Sequence, residues 1–133
     1  MVINPLSKLY NQLIKGYELK LESILVLKSK VVLAVLDILL LEGFIRGYTF
    51  NTKSSNEIKV LLKYSLNGRE KAIRDIKGVS KPSRRFYVTT GDLWSFYWDL
   101  PFVCLVLSTS KGIMTSKEAL KNNIGGELLC YVI

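Results

Sequence analysis

A serine and a lysine three positions apart come nearest in this chain to a known catalytic pattern. Ser108-x-x-Lys111 has the spacing with which some hydrolases pair a serine nucleophile with a lysine base. In those enzymes the motif opens a helix and further motifs follow it. Here it lies between a predicted strand and Gly112, and no partner motif is present. The pattern therefore does not predict an enzyme.

The usual ligands of metals and the usual bases of catalysis are also missing. The chain contains no histidine, and its two cysteines, Cys104 and Cys130, lie in apolar stretches typical of buried thiols. The carboxylates of the C-terminal half show no paired spacing for acid–base catalysis: Asp92, Asp99, Glu118 and Glu127. We expect no cofactor, no metal site and no small-molecule substrate.

The charge balance points instead to a polyanionic partner. The 133 residues include 19 Lys plus Arg against 11 Asp plus Glu, a net charge of +8. Such a chain is attracted to RNA, DNA or an anionic membrane surface, although a basic protein without such a partner has the same balance. Hydrophobic residues make up 49% of the sequence, which indicates a core together with apolar surface that a partner covers.

The sequence predicts neither a membrane span nor a targeting segment. No uncharged apolar run reaches the roughly 18 residues that a span requires. The most apolar stretch, 93–107, is interrupted by Asp99 and Pro101. The first residues show neither a basic region followed by an apolar one nor an Arg-rich presequence, so we expect no secretory signal and no membrane partner.

A hydroxyl-rich segment near the C-terminus is the main candidate for binding RNA. It is predicted as a loop between the strands 103–107 and 127–132. Hydroxyls held on a rigid loop can match a nucleic-acid backbone or a base edge. Glu127 follows the Gly125-Gly126 turn and is expected to accept hydrogen bonds from base amino groups or loop hydroxyls; the alternative is a solvated strand end. The loop consists of Ser108, Thr109, Ser110, Lys111 and Gly112.

A basic segment upstream is a second candidate. Lys81, Arg84 and Arg85 precede Phe86 and Tyr87. Cations for phosphate beside rings for sugar or base predict a strip that faces RNA, whereas a solvated linker next to core aromatics is the alternative.

Two further features are ambiguous. Ser29 and Lys30 begin a predicted helix, where backbone N–H groups favour phosphate, but Ser29 is equally well explained as a plain cap. The remaining aromatic cluster favours a core or a protein-contact surface over a platform for base stacking: Trp94, Phe96, Tyr97, Trp98 and Phe102.

Periodicity and turn signals predict an α+β fold in two small halves, with the boundary near Lys77. Residues 1–77 are predicted to form two helices on a three-stranded sheet, and 78–133 a mostly β half with one short helix. Thr115 and Glu118 have the spacing of a capping box at the start of that helix. The segment 89–98 is predicted as a loop with a helical turn.

More detailed expectations concern the first half. Its first helix begins at Asn4-Pro5 and ends at Gly16, and the second runs from Ser29 to Gly43. Strands are predicted at 19–27, 46–50 and 57–65, and an Asn67-Gly68 hairpin turn returns the chain as a strand over 72–77.

Two contiguous segments carry a family resemblance. Ser-Thr-Ser-Lys-Gly-Ile-Met-Thr at 108–115 and Gly-Gly-Glu-Leu-Leu-Cys-Tyr-Val at 125–132 resemble the C-terminal signature of the small-subunit ribosomal protein S8 family. Asn-Pro-Leu at 4–6, Ser-Lys at 29–30, Glu-Gly-Phe-Ile at 42–45 and Val-Ser-Lys-Pro at 79–82 resemble its other landmarks. Departures are Ser83 in place of glycine, Leu27 in place of proline, and 98–102 in place of a glycine-rich turn.

The resemblance implies a structural protein of the small ribosomal subunit. Members of that family bind rRNA at a helical junction of the central domain, help assemble the platform and contact neighbouring ribosomal proteins. A free RNA-binding regulator, including one that binds its own messenger, is the alternative. The 14 lysines against 5 arginines fit an AT-rich genome and favour an organelle-encoded protein of the mitochondrial ribosome, with plastid or bacterial cytoplasm as alternatives.

Overall fold

The computed structural model describes residues 5–50, 56–65, 70–81, 83–101 and 103–133. The chain divides into two compact units, Met1–Asp75 and Ile76–Ile133. Each unit builds an antiparallel sheet with helices packed on it, which confirms the predicted α+β class. Ile76 and Lys77 pair with a strand of the second unit, so the division falls between Asp75 and Ile76.

The first unit contains two helices and three strands. They are α1 (Pro5–Glu18), β1 (Ser23–Leu27), α2 (Lys30–Leu41), β2 (Ile45–Phe50) and β3 (Glu57–Leu62). The strand order is β1-β3-β2, and both pairings are antiparallel.

Alternation along β3 decides which face of this sheet is buried. Ile58, Val60 and Leu62 are buried, while Lys59 between them is exposed. On β1 the buried residue is Val26, whereas Leu25 and Leu27 on the other face are exposed. Both helices add apolar stripes to the core: Leu9 and Leu13 from α1, and Val32, Val35, Leu36 and Leu39 from α2.

Two glycines have different roles at the helix ends. The prediction that α1 ends at Gly16 is wrong, because α1 continues to Glu18. Gly16 is a packing position, since a Cβ there would lie 2.7 Å from Ile24 Cγ2 and 3.0 Å from Leu62 Cδ1. Gly43 follows α2 with φ of +80°, as expected of a residue that ends a helix in the left-handed region.

The predicted return strand over 72–77 is wrong in its extent. The Asn67-Gly68 turn lies outside the described residues. After it, Lys71 forms only an isolated bridge with Tyr64. Ile76 instead finds its partner in Val132, because residues 76–78 form a strand of the second unit.

The second unit contains a five-stranded sheet and two helices. The strand order is β4-β8-β6-β7, and β5 pairs with β8 beyond this path. The elements are β4 (Ile76–Gly78), β5 (Tyr87–Val88), α3 (Thr90–Asp99), β6 (Cys104–Thr109), β7 (Gly112–Thr115), α4 (Ser116–Lys121) and β8 (Gly126–Val132). The core on the helix side consists of Val88, Leu93, Leu105, Leu107, Met114, Ala119 and Leu128.

The segment 89–98, expected as a loop with a helical turn, belongs mostly to the ten-residue helix α3. A complete capping box starts it. Thr89 Oγ1 accepts from the N–H of Asp92 at 3.2 Å, and Asp92 Oδ2 accepts from the N–H of Thr89 at 3.0 Å. Leu93, fully buried, fixes the helix to the core. Of the capping box predicted for α4, the structure shows the bond from Glu118 N–H to Thr115 Oγ1 at 3.4 Å.

Replacing the cap of α3 tests this assignment. Thr89→Ala is expected to lower the free energy of unfolding by about 0.5–2 kcal/mol, because one N-terminal amide loses its acceptor. Thr89→Ser, which keeps the acceptor, is the matched control and is expected to stay close to the parent chain. Urea melts measure both. Equal losses for the two variants would show that the methyl group matters and the cap does not.

Candidate nucleic-acid interface

Strand β8 lies between β5 and β6 and brings three predicted site residues into one line. Glu127 pairs with Tyr87 on one side and with Ser108 on the other. Residues directly opposite each other in antiparallel strands project from the same face of the sheet. Tyr87, Glu127 and Ser108 therefore form a continuous group, here called the polar row. The Tyr87 ring is exposed.

Arg85 forms an ion pair with the centre of the polar row. Its Nη1 donates to Glu127 Oε1 at 2.9 Å. The Glu127 side chain is only 15% exposed, whereas that of Arg85 is 53% exposed. The hydrogen bond and the charge of Glu127 raise the pKa of Arg85 above its ordinary value. Arg85 was predicted as a free phosphate-binding cation, but part of its charge is committed to Glu127.

The predicted loop 108–112 is a tight hairpin. Ser108 and Thr109 belong to β6, Gly112 opens β7, and only Ser110 and Lys111 form the turn. Thr109 Oγ1 donates to the Gly112 carbonyl at 2.8 Å and accepts from the N–H of Lys111 at 3.2 Å. The hydroxyl proton of Thr109 is thus used to shape the turn.

The two serines beside Thr109 differ from it. Ser108 is half-buried and Ser110 is exposed, and neither hydroxyl has a hydrogen-bond partner among the described residues. Lys111 is exposed at the tip of the turn. The polar row therefore carries one uncommitted hydroxyl, that of Ser108, and the adjoining turn carries a second, that of Ser110, together with the cation of Lys111.

The two glycines before Glu127 allow the neighbouring strands to approach closely. A Cβ at Gly126 would collide with the Ser108 carbonyl, and a Cβ at Gly125 would collide with the Val88 carbonyl. The sequence suggested a turn at this pair. The structure gives a steric reason for both glycines, because a side chain at either position would collide with the backbone of a neighbouring strand.

The basic linker predicted over 78–85 is hydrogen-bonded to β8 near its start, and Phe86, which follows it, is bonded to β8 as well. The N–H of Val79 donates to the Leu129 carbonyl at 2.9 Å, and that of Leu128 donates to the Phe86 carbonyl at 2.8 Å. Ser80, which the sequence shows only as part of the Val-Ser-Lys-Pro landmark, is buried. Its Oγ accepts from the N–H of Phe86 at 2.9 Å and donates to the Phe86 carbonyl at 3.3 Å. Ser80 thereby joins the two ends of this segment by hydrogen bonds.

The two remaining cations of this segment lie on a tight turn. The N–H of Lys81 donates to the Arg84 carbonyl at 2.9 Å, and the N–H of Arg84 donates to the Lys81 carbonyl at 3.0 Å. Both residues are exposed. Neither has an ion pair within the described parts of the chain. Lys81 and Arg84 are therefore free to bind phosphate.

Ser29 and Lys30 belong to the first unit and are not part of this group. Ser29 Oγ accepts from the N–H of Val32 at 3.1 Å, so its side chain caps α2. Lys30 is exposed at the first position of the helix. The capping role of Ser29 is observed, and a phosphate at this helix end stays a prediction.

Other kinds of site have little support in the described residues. No group of three or more cysteines or carboxylates within them could hold a metal ion. Cys104 and Cys130 are not joined in a disulfide. In the same ranges, no helix is both long and apolar enough to cross a membrane.

Comparison with known proteins decides the family. The family model described as ribosomal protein S8 matches residues 4–133. This chain belongs to the ribosomal protein S8 family. The resemblance in the sequence is confirmed, and the S8-family chain is a structural ribosomal protein without enzymatic activity.

Individual relatives match this S8-family chain along most of its length. A "Small ribosomal subunit protein uS8" from Caldicellulosiruptor bescii is 39% identical over 132 residues, which cover 98% of each chain. The "Small ribosomal subunit protein uS8c" from Tupiella akineta is 36% identical over 137 residues, covering 99% of each chain. The "Small ribosomal subunit protein uS8" from Rickettsia typhi is 39% identical over 118 residues, covering 88% of this chain and 87% of its own.

Proposed function

We propose that this chain is a structural component of the small ribosomal subunit that binds rRNA through its second unit. In this proposal it holds a helical junction of the central domain of the rRNA and aids assembly of the platform beside neighbouring ribosomal proteins. One observation carries the proposal: the polar row, which includes Ser108, adjoins a hairpin turn at Ser110, and both serine hydroxyls are uncommitted.

In this proposal the hydroxyls of Ser108 and Ser110 recognise the rRNA specifically. A hydroxyl both donates and accepts at short range, so it can match a base edge or a ribose 2′-hydroxyl. Thr109 contributes indirectly, because its bonds to Gly112 and Lys111 fix the turn. A turn already fixed between two paired strands loses little conformational entropy on binding.

Glu127 contributes an acceptor whose charge is compensated. An isolated carboxylate next to RNA repels phosphate, but Arg85 lies 2.9 Å from it and offsets that charge. A guanidinium has five N–H donors, so Arg85 keeps donors for RNA while it holds Glu127. Glu127 is then suited to accept a hydrogen bond from a base amino group.

Lys81, Arg84 and Lys111 supply binding without sequence preference. All three are exposed, and long cationic side chains mostly contact phosphates. Tyr87 offers an exposed ring for a base or a sugar. The net charge of +8 adds long-range attraction to RNA.

The cellular location that we propose is the mitochondrial ribosome, and we propose that the chain is encoded in the organelle. Its support is compositional: 14 lysines against 5 arginines, as in proteins from AT-rich genomes. Plastid and bacterial ribosomes remain the alternatives, and the relatives from C. bescii and R. typhi are bacterial. The proposed role involves no cofactor and no small-molecule substrate.

The phosphate-binding part of the proposal is tested by removing two cations. A chain carrying Lys81→Ala and Arg84→Ala is expected to bind a central-domain junction RNA and a scrambled RNA of equal length more weakly, by similar factors. The slope of log K against log salt is expected to become shallower by about 0.7–0.9 for each phosphate that the variant no longer neutralises. Fluorescence anisotropy at several salt concentrations gives both quantities.

The matched control carries Lys59→Ala and Lys63→Ala, two exposed lysines of the first unit. It changes the net charge by the same amount, so it measures the effect of overall charge. If the slopes of the two double variants fall equally, Lys81 and Arg84 do not bind phosphate. If the wild-type chain itself fails to prefer the junction over the scrambled RNA, specific rRNA binding is excluded.

A further inference from the structure

Helix α3 exposes three aromatic rings that the proposed RNA site does not use. Trp94, Tyr97 and Trp98 are spaced i, i+3 and i+4, which places them together on one side of the helix. The centroids of Trp94 and Tyr97 are 5.9 Å apart, and those of Tyr97 and Trp98 are 5.5 Å apart, both edge to face. These three residues, here called the aromatic face, are all exposed, and Trp98 is 75% exposed.

A groove next to Tyr97 extends this apolar surface. It runs between α3 and α4, and its lining includes Phe96, Leu100, Pro101, Val103 and Lys117. Leu100 is also substantially exposed. Tryptophan, tyrosine and leucine side chains left in water next to a groove are typical of a surface that another protein covers.

The charge of α3 indicates what covers it. The helix carries Asp92 and Asp99 and no lysine or arginine, in a chain whose net charge is +8. Asp92 is used in the capping box with Thr89. Asp99 is exposed in the last turn, where the helix dipole is already negative and no basic residue is present. Among the described residues Asp99 has no ion pair.

We propose that the aromatic face and its groove dock a segment of another protein that presents arginine next to apolar side chains. Trp98 offers an indole on which a guanidinium stacks, and Asp99, the next residue along the helix, offers an exposed carboxylate with which a guanidinium pairs. The apolar side chains of the segment pack against Trp94, Tyr97 and the groove. This surface lies on α3 and is separate in sequence from the polar row.

An RNA ligand fits this surface less well. Phosphates approaching α3 would meet two carboxylates and the negative end of the helix. Lys117 is the one cation among the described residues that line the groove. Proteins that bind single-stranded RNA by stacking combine aromatic rings with a cationic groove, and α3 supplies only the rings.

The full chain offers a selective probe for this surface. Its two tryptophans, Trp94 and Trp98, both belong to α3, so tryptophan fluorescence reports on this helix alone. The titrants are a synthetic peptide of alternating leucine and arginine, the same peptide with glutamate for arginine, and a uridine oligonucleotide. We expect a saturable shift of emission with the arginine peptide and no shift with the other two.

Two variants locate the binding. Trp98→Ala is expected to weaken binding of the arginine peptide about tenfold, the effect of truncating an aromatic hot spot. Asp99→Asn is expected to weaken it several-fold, because the ion pair is removed. Trp94 remains as the reporter in both variants. Glu42→Gln, which removes an exposed carboxylate of the first unit, is the matched control and is expected to change nothing. Unchanged urea midpoints confirm folding, since Trp98 and Asp99 are exposed.

Four results would overturn the proposal. A shift with the oligonucleotide but not the peptide would assign the face to RNA. Equal shifts with both peptides would show apolar adsorption without recognition of arginine. Emission that changes with protein concentration alone would assign the face to a second copy of this chain. No response to the arginine peptide at millimolar concentration would show that α3 docks no such segment.

Discussion

Leu36→Ala is expected to lower the free energy of unfolding by about 2–5 kcal/mol, the range for large-to-small changes in a packed core. Leu36 lies in the middle of α2 and is fully buried, as are its neighbours Val35 and Leu39. The smaller side chain loses apolar burial and leaves a cavity that these neighbours cannot fill. Urea melts followed by circular dichroism measure the loss.

Leu41→Ala is the matched control for this prediction. Leu41 ends the same helix but is 80% exposed, so the same chemical change removes little burial. We expect less than about 0.5 kcal/mol for it, as for ordinary surface substitutions. A loss below about 1 kcal/mol for Leu36→Ala would mean that α2 lies at the periphery of the first unit and is not packed into its core.

Ser110→Ala is expected to remove about 1–3 kcal/mol from binding to the junction RNA, the cost of leaving a buried partner without its hydrogen bond. That cost corresponds to a factor of roughly 5 to 150 in affinity. The scrambled RNA and the salt slope are expected to stay nearly unchanged, because the variant keeps every cation. Ser110 is exposed in the turn, so the fold does not depend on its hydroxyl.

Parallel titrations of both RNAs measure this effect, with Ser7→Ala as the control for an exposed serine of the first unit. Equal losses of affinity for both RNAs would show that the turn binds RNA without recognising its sequence. No loss on either RNA would remove Ser110 from the interface and leave Lys111 or the basic turn at Lys81 and Arg84 as the contact.

The parts of the fold that the sequence predicts well are those set by local signals. Ser29 caps α2 and Gly43 ends it, because a side-chain acceptor and a residue tolerant of positive φ act within one turn of the helix. Thr115 starts α4 for the same reason. Alternation along β3 likewise predicts its buried face.

The missed elements depend on tertiary partners or on a weaker form of a known signal. Ile76 pairs with Val132 instead of continuing a local hairpin, and no residue spacing in the sequence predicts a partner strand that far along the chain. Helix α3 was missed although Thr89-x-x-Asp92 has capping spacing. Aspartate in place of glutamate, together with Gly91 and a run of aromatics, hides the helix pattern.

The residue types of the candidate site are visible in the sequence, but their arrangement is not. Arg85 and Glu127 are 42 residues apart, and only the register of β5 on β8 brings them together. Thr109 looks equivalent to Ser108 and Ser110 in the sequence. It differs because its hydroxyl closes the turn, which follows from the pairing of Thr109 with Gly112.

We propose that the polar row and the hairpin turn form the rRNA-binding surface. Amide chemical shifts of the ¹⁵N-labelled chain, recorded during titration with the junction RNA, test it most directly. We expect the largest changes at Ser108, Ser110, Lys111, Glu127 and Tyr87, with small changes along α3. Largest changes on α3 or at the start of α2, with the hairpin unaffected, would contradict it.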